Sequence, residues 1–209
     1  MKYSIKNTDR FSIKDQLSQK IYYGSNQEWY KKRWQRMAGC GPSAVANVIH
    51  YVNWSGLKDE EKKSVTRESY LSLMSEVWDY VTPSLGGISS TNMLCVGVDR
   101  YVKEKKLNIT TESLDIPKNK KLRPDSQQVI SFISNALEQD SPVAFLNLEH
   151  GTVYELESWH WVTIIALDYY EEYQSAVIDI LDGGIIKQID FLQWLHTSKL
   201  GGGLVRPQL

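Results

Sequence analysis

Helical periodicity dominates the first half of the chain and strand-like runs dominate the second. Ala44, Val45, Val48, Ile49 and Val52 recur on one face of a helix opened by Pro42, whose missing amide hydrogen costs nothing in a first turn. Thr66 to Val81 puts Tyr70, Leu71, Met74, Val77, Trp78 and Val81 on one face, after a charged helix or turn over Lys58 to Lys63. Pro83 to Thr91, rich in Gly and Ser, reads as a loop. Thr91 to Lys105 reads as a helix with Leu94, Val98, Tyr101 and Val102 inward. Asp125 to Leu137 reads as another, with Val129, Ile130, Ile133, Ala136 and Leu137 inward. Strands are predicted over Leu107 to Ile116, Pro142 to Leu148, His160 to Tyr169 and Ala176 to Leu181, where β-branched and aromatic residues concentrate. The short turn Glu171 to Ser175 predicts that the last two pair antiparallel. Gly201-Gly202-Gly203 predicts a mobile end.

Composition turns this pattern into a single domain. With 209 residues, 42% hydrophobic and 23% charged, the chain can bury one real core. That domain spans 1–209, with 1–28 as an N-terminal extension and 29–197 as the core. Lys and Arg number 24 against 25 Asp and Glu, a net charge of −1, which excludes a nucleic-acid footprint and a basic membrane-binding surface. No apolar run is long enough for membrane insertion, and Met1 to Lys20 lacks the apolar centre of a secretory signal. The expectation is a cytoplasmic protein, unless a secretion signal has been removed. Cys40 and Cys95 need not pair in a chain of this size, and Cys95, within the apolar stretch Met93 to Val98, reads as a core residue.

Candidate chemistry gathers at three positions. Cys40 lies just ahead of Pro42, at the positive end of the first apolar helix, where partial charge favours thiolate over thiol. Packing explains a cysteine at a tight helix start equally well. His160 stands at the mouth of a buried strand, a rigid mount for the general base of a thiol nucleophile. A third group should orient that base, and Asp182, at a strand end ahead of Gly183-Gly184, is placed for it. Asp179 is the competitor, but strand alternation puts it on the opposite face from Asp182.

Cys-Gly-Pro-Ser-Ala opening a helix, a later His-Trp-Val-Thr-Ile strand and an Asp-Gly turn one strand on resemble the papain-like cysteine peptidase superfamily. The nearest branch is that of bacteriocin-processing, double-glycine peptidases and their uncharacterised bacterial relatives. The likeness covers roughly residues 29 to 197. It implies an α+β fold, a helical half packed against a mainly antiparallel sheet with the cleft between them. It also implies Cys40 as nucleophile, His160 as base and Asp182 as orienter. The family's oxyanion glutamine lies six residues before the cysteine, whereas Gln35 lies five before Cys40; Arg36 or backbone amides alone could take the role, the loop Arg36 to Gly39 absorbing the difference. The signature Cys-Gly-Ser/Ala-Cys-Trp of the cathepsin branch is missing.

The implied activity is thiol-dependent hydrolysis of a peptide or related amide bond through an acyl-enzyme on Cys40. Transfer of the acyl group to an amine by the same dyad, or a silent binding domain on this fold, are the alternatives. No cofactor is required, and His150 and His196 lack the spacing of metal ligands, so no metal is expected; His50, which could line the cleft, reads as a helix-end or partly exposed histidine. Trp159 and Trp161 flank His160 and are candidates for walling the cleft and contacting a peptide or amide-bearing substrate. The loop Glu149 to Ser158, with Glu149, Glu155 and Glu157, is a candidate flap, and the aromatic, basic segment Tyr22 to Trp34 could line the cleft. The basic cluster Lys118 to Arg123 reads as a solvated loop.

Overall fold

Strands that are apolar on both faces must be covered twice, and Val143–Asn147 is buried at every position. The computed structural model describes residues 1–16, 18–56 and 65–208. Its strands are β1 (Lys2–Ser4), β2 (Ser12–Lys14), β3 (Ile21–Tyr23), β4 (Thr110–Ile116), β5 (Val143–Asn147), β6 (His160–Tyr170), β7 (Ser175–Asp182), β8 (Ile185–Asp190) and β9 (Gly202–Gln208). Its helices are α1 (Arg33–Ala38), α2 (Cys40–Gly56), α3 (Arg67–Trp78), α4 (Thr91–Lys105), α5 (Ser126–Glu138) and α6 (Phe191–Thr197). Seven strands form one sheet in the order β4-β9-β5-β6-β7-β8, with β1 alongside β6, and all their pairings are antiparallel. A small hairpin of β2 and β3 stands apart.

Each face of the large sheet carries its own core. On one side Val45, Ile49, Tyr70, Met74, Val77, Leu94 and Val98 from α2, α3 and α4 pack with Ala144, Leu146, Trp161 and Val205 of the sheet. On the other, Val129, Ile133 and Leu137 of α5 and Phe191 and Trp194 of α6 cover Phe145, Val162, Ile164 and Ile178. The inward faces expected for α3, α4 and α5 are the buried ones, although Leu71 is only partly covered. The architecture is the α+β arrangement of helices against an antiparallel sheet.

Several elements depart from the sequence reading. The segment Arg36 to Gly39 is mostly helix, the end of α1, because Arg33–Ala38 caps the turn before the cysteine rather than spanning it as a loop. The glycine run near residue 201 is not mobile. It leads into β9, an interior strand between β4 and β5, where a Cβ on Gly202 would stand 1.9 Å from the Leu146 carbonyl oxygen. Only a residue without a side chain allows that approach. Residues beyond 29–197 therefore share the core's sheet: β9 at one end of the chain and β1, which pairs Tyr3 with Leu167, at the other. The predicted charged helix or turn over 58–63 falls outside the described residues.

The basic cluster is also more than a solvated loop. Arg123 donates to the Leu195 carbonyl at 2.9 Å and Lys120 to the His196 carbonyl at 2.9 Å, closing the C-terminal end of α6. Cys95 on α4 is half-buried rather than enclosed.

Candidate active site

Cys40 is the first residue of α2. The turn that delivers it is tight: a Cβ on Gly39 would lie 2.3 Å from the Gln35 carbonyl oxygen, and one on Gly41 would lie 2.9 Å from Ile88. Glycine on both sides of the cysteine lets α1, Tyr30 and the 83–90 loop close around the helix start. His160 opens β6 and Asp182 closes β7, so two adjacent strands present both groups at the same end of the sheet.

His160 Nε2 and Asp182 Oδ1 are 2.8 Å apart. A carboxylate accepts, so Nε2–H donates, and the imidazole's Nδ1 is left for the Cys40 sulfur. The Cys40 side chain lies close enough to this ring to bear on its protonation. Burial works against a charged His160, but the hydrogen bond it donates to Asp182 and the nearness of Cys40 and the Asp182 charge outweigh it and push the imidazolium pKa up to about 10. Burial likewise opposes a charged Asp182, yet His160 and Lys187 hold its carboxyl down at about 2. Lys187 Nζ lies 2.6 Å from Asp182 Oδ2, so each carboxylate oxygen has a cationic partner.

Asp179 takes no part in this cluster. It accepts from Gln188 Nε2 at 2.8 Å and projects from the face of β7 opposite Asp182.

Cys40, His160 and Asp182 line one cavity of about 200 Å³. Its other walls include Ser25 to Glu28, Asn47, Glu157, Trp161 and Thr163. Asn47, two turns beyond Cys40 on α2, donates to Thr163 Oγ1 at 3.0 Å and accepts from the Ser25 amide at 2.8 Å and Tyr70 hydroxyl at 2.7 Å. That buried amide ties α2, α3 and β6 together directly beneath the cysteine and histidine.

The two tryptophans behave differently. Trp161 is buried, lines the cavity and donates its Nε1–H to the Ile88 carbonyl at 2.7 Å. Trp159 is 60% exposed and adopts φ 59°, a left-handed conformation unusual for a bulky side chain. The bend turns its indole outward immediately before His160.

Gln35 sits on α1 and is not among the residues lining the cavity. Gln27 is, and its side-chain oxygen Oε1 is buried without a hydrogen-bond partner among the described residues. The Tyr22 to Trp34 segment thus reaches the cleft through its middle, 25–28. Neither Gln27 nor Lys187 was singled out from the sequence. Lys187 had a signal: a Gly-Gly turn after Asp182 implies a two-residue hairpin, which sets residue 187 diagonally across from 182.

The loop Glu149 to Ser158 is anchored, not a free flap. Glu149 accepts from the amides of Gly151 at 3.2 Å and Lys199 at 2.5 Å, Asn147 holds the Glu157 carbonyl at 2.7 Å, and Val153 and Leu156 are buried. Glu149 is therefore spent on backbone amides, while Glu157 borders the cavity. His50 bonds the Arg10 carbonyl and His196 the Ser126 hydroxyl. Among the described residues no group of three or more His, Cys, Asp or Glu is placed to hold a metal ion, and no helix is long and apolar enough to cross a membrane.

No family model and no curated protein matches the sequence. Among solved structures, UfSP from C. elegans, whose fold is papain-like, superposes on the whole of this chain with a TM-score of 0.56 at 11% identity. The chain spans about a third of that protein, 34% of its length. With helices against an antiparallel sheet and this likeness over its full length, the chain has the papain-like α+β fold.

Proposed function

We propose that the protein is a papain-like cysteine hydrolase that cleaves a peptide or related amide bond, with Cys40 as nucleophile, His160 as acid and base, and Asp182 as orienter. The observation that carries this reading is the convergence of Cys40, His160 and Asp182 on one cavity, with the His160 imidazole held to Asp182 at 2.8 Å. The Cys-Gly-Pro-Ser-Ala motif favours the double-glycine peptidase branch within that superfamily.

In this reaction the Cys40 sulfur attacks the substrate carbonyl carbon. As the C–N bond breaks, imidazolium gives its Nδ1 proton to the leaving amine, which departs from a thioester on Cys40. Neutral His160 then takes a proton from water as that water attacks the thioester. The C–S bond breaks, the acid product leaves, and the sulfur anion and imidazolium are restored. Asp182 keeps Nε2–H engaged throughout, so the ring neither rotates nor changes tautomer. The oxyanion would be met by the Cys40 amide and, in place of Gln35, by the side-chain N–H of Gln27. Trp161 forms a fixed wall, and the outward indole of Trp159 offers an apolar contact to the bound chain.

A peptidyl vinyl sulfone followed by mass mapping tests this reading. A single adduct on Cys40, formed far more slowly by His160→Ala, supports it. Absence of an adduct, or equal modification of Cys95, sinks it and leaves a binding domain on the fold.

A further inference from the structure

The carboxylate of Asp182 is clamped from two sides. Antiparallel pairing sets Ile180 opposite Lys187 and Asp182 opposite Ile185, so Lys187 and Asp182 are diagonal neighbours on one face of the β7–β8 hairpin. His160 takes Oδ1 at 2.8 Å, and Lys187 takes Oδ2 at 2.6 Å. Asp182 is itself buried, and the Lys187 side chain is 30% exposed, so this contact is not the loose pairing of two solvated surface groups.

We propose that Lys187 is a positioning residue for the dyad: it fixes the Asp182 carboxylate through Oδ2 and offsets the negative charge that an aspartate orienter sets near the Cys40 sulfur. This inference rests on the reading of Cys40 and His160 as nucleophile and base.

The reason lies in the charge count. An orienter that is a neutral amide adds no charge. An aspartate adds a second negative charge near the sulfur, so thiolate, imidazolium and carboxylate together carry −1. Lys187 brings the four-group chain to zero. Other charges border the site from the loops: Glu157, and Glu28, which lies 4.0 Å from Arg36. Glu28 has Arg36 beside it, so Glu157 is the further negative charge at the site. Lys187 also ties the two strands of the hairpin together beside its turn, where Gly183 and Gly184 both have positive φ. A clamp on Oδ2 leaves Oδ1 aimed at Nε2. The low carboxyl pKa of Asp182 agrees with two cations on one carboxylate.

Losing a positive charge makes every nearby proton harder to remove, so the sign of the effect is fixed. The test is the pH dependence of Cys40 alkylation by iodoacetamide in the native protein, Lys187→Met, Lys187→Gln and Lys187→Arg, with His160→Ala as reference and thermal melts alongside. The half-maximal pH should move up by about one unit in Lys187→Met and Lys187→Gln, the size of a lost charge contact. Lys187→Arg should return it to the native value. If the neutral variants keep the native profile, or Lys187→Arg shifts it as far as they do, the proposal is overturned and Lys187 only packs the hairpin. His160→Ala separates the two ideas. A flat response to it removes the dyad itself, whereas a response to His160→Ala without one to Lys187 removes only this inference.

Discussion

Asn47 on α2 donates to Thr163 on β6 at 3.0 Å, seven residues past Cys40 and three past His160. This bond fixes the separation of the two elements that carry the proposed nucleophile and base. Its other contacts, the Ser25 amide and the Tyr70 hydroxyl, require the side-chain oxygen, so the amide is oriented by its surroundings. Asn47→Ala should leave three buried polar groups without partners and cost about 1–3 kcal/mol or more in urea unfolding. Asn47→Asp should be worse, because an ionised carboxylate cannot donate to Thr163. A loss under about 0.5 kcal/mol for Asn47→Ala would show that the network does not brace the fold.

Iodoacetamide should modify Cys40 at least about tenfold faster than Cys95 near neutral pH. Burial raises the Cys95 thiol pKa, whereas Cys40 lines the same cavity as a charged imidazole. His160→Ala should bring the two rates together. Peptide mapping after a timed pulse measures both in one sample, and equal native rates would contradict the dyad.

Asp182→Asn should slow Cys40 alkylation by about tenfold or more without abolishing it, since a neutral amide stabilises imidazolium less than a carboxylate does. Asp179→Asn removes a contact with Gln188 on the other face and should leave the rate unchanged. The reverse outcome would mean that Asp179 orients the histidine in solution.

Stability should depend on pH at both ends of the scale. The His160 pKa rises from 6.5 to about 10 on folding, so its contribution is complete below 6.5 and drains away as pH climbs towards 10. Asp182 falls from 3.8 to about 2, so its contribution is complete above 3.8 and is lost as pH drops towards 2. Each group contributes a slope of at most about 1.4 kcal/mol per pH unit. Urea midpoints between pH 6.5 and 9 should decline more steeply in the native protein than in His160→Gln. Parallel curves would rule out a proton held by this histidine.

Much of this was legible in the amino-acid pattern, for physical reasons. α3, α4 and α5 bury one stripe each, so residues such as Tyr70, Leu94 and Val129 recur with the helical period. β6 and β7 are interior strands and read as continuous β-branched runs. The site followed because Cys40, His160 and Asp182 each sit at the end of such an element. Edge and glycine-containing strands were not legible. β8 lies at the sheet's edge with Ile185, Ile186 and Gln188 exposed, so Ile-Ile-Lys-Gln-Ile-Asp shows no clean alternation. β9 opens on glycines that look like punctuation, although they are there for the close approach of β5. Gln27 opens a single 3-10 turn, Gln27–Trp29, too short to show a period.

Gly202→Ala tests the close approach of β9 to β5. The added methyl meets the Leu146 carbonyl at 1.9 Å, backbone rather than a yielding side chain, so β9 must shift. A loss of about 2 kcal/mol or more in urea unfolding is expected. A change below about 0.5 kcal/mol would show that the strand runs elsewhere.

The interior position of β9 also orders events in time. Among the described residues, β4 reaches the rest of the large sheet only through β9, which joins Thr110–Ile116 to Val143–Asn147. During vectorial synthesis the earlier strands can pair among themselves, but a slot beside β5 stays open until residues 202–208 have been made. Thr110 pairs with Gln208 across almost a hundred residues, a long loop to close. Until then the edges of β4 and β5 are exposed templates for pairing with other chains, and the nascent protein is most vulnerable to aggregation in that interval.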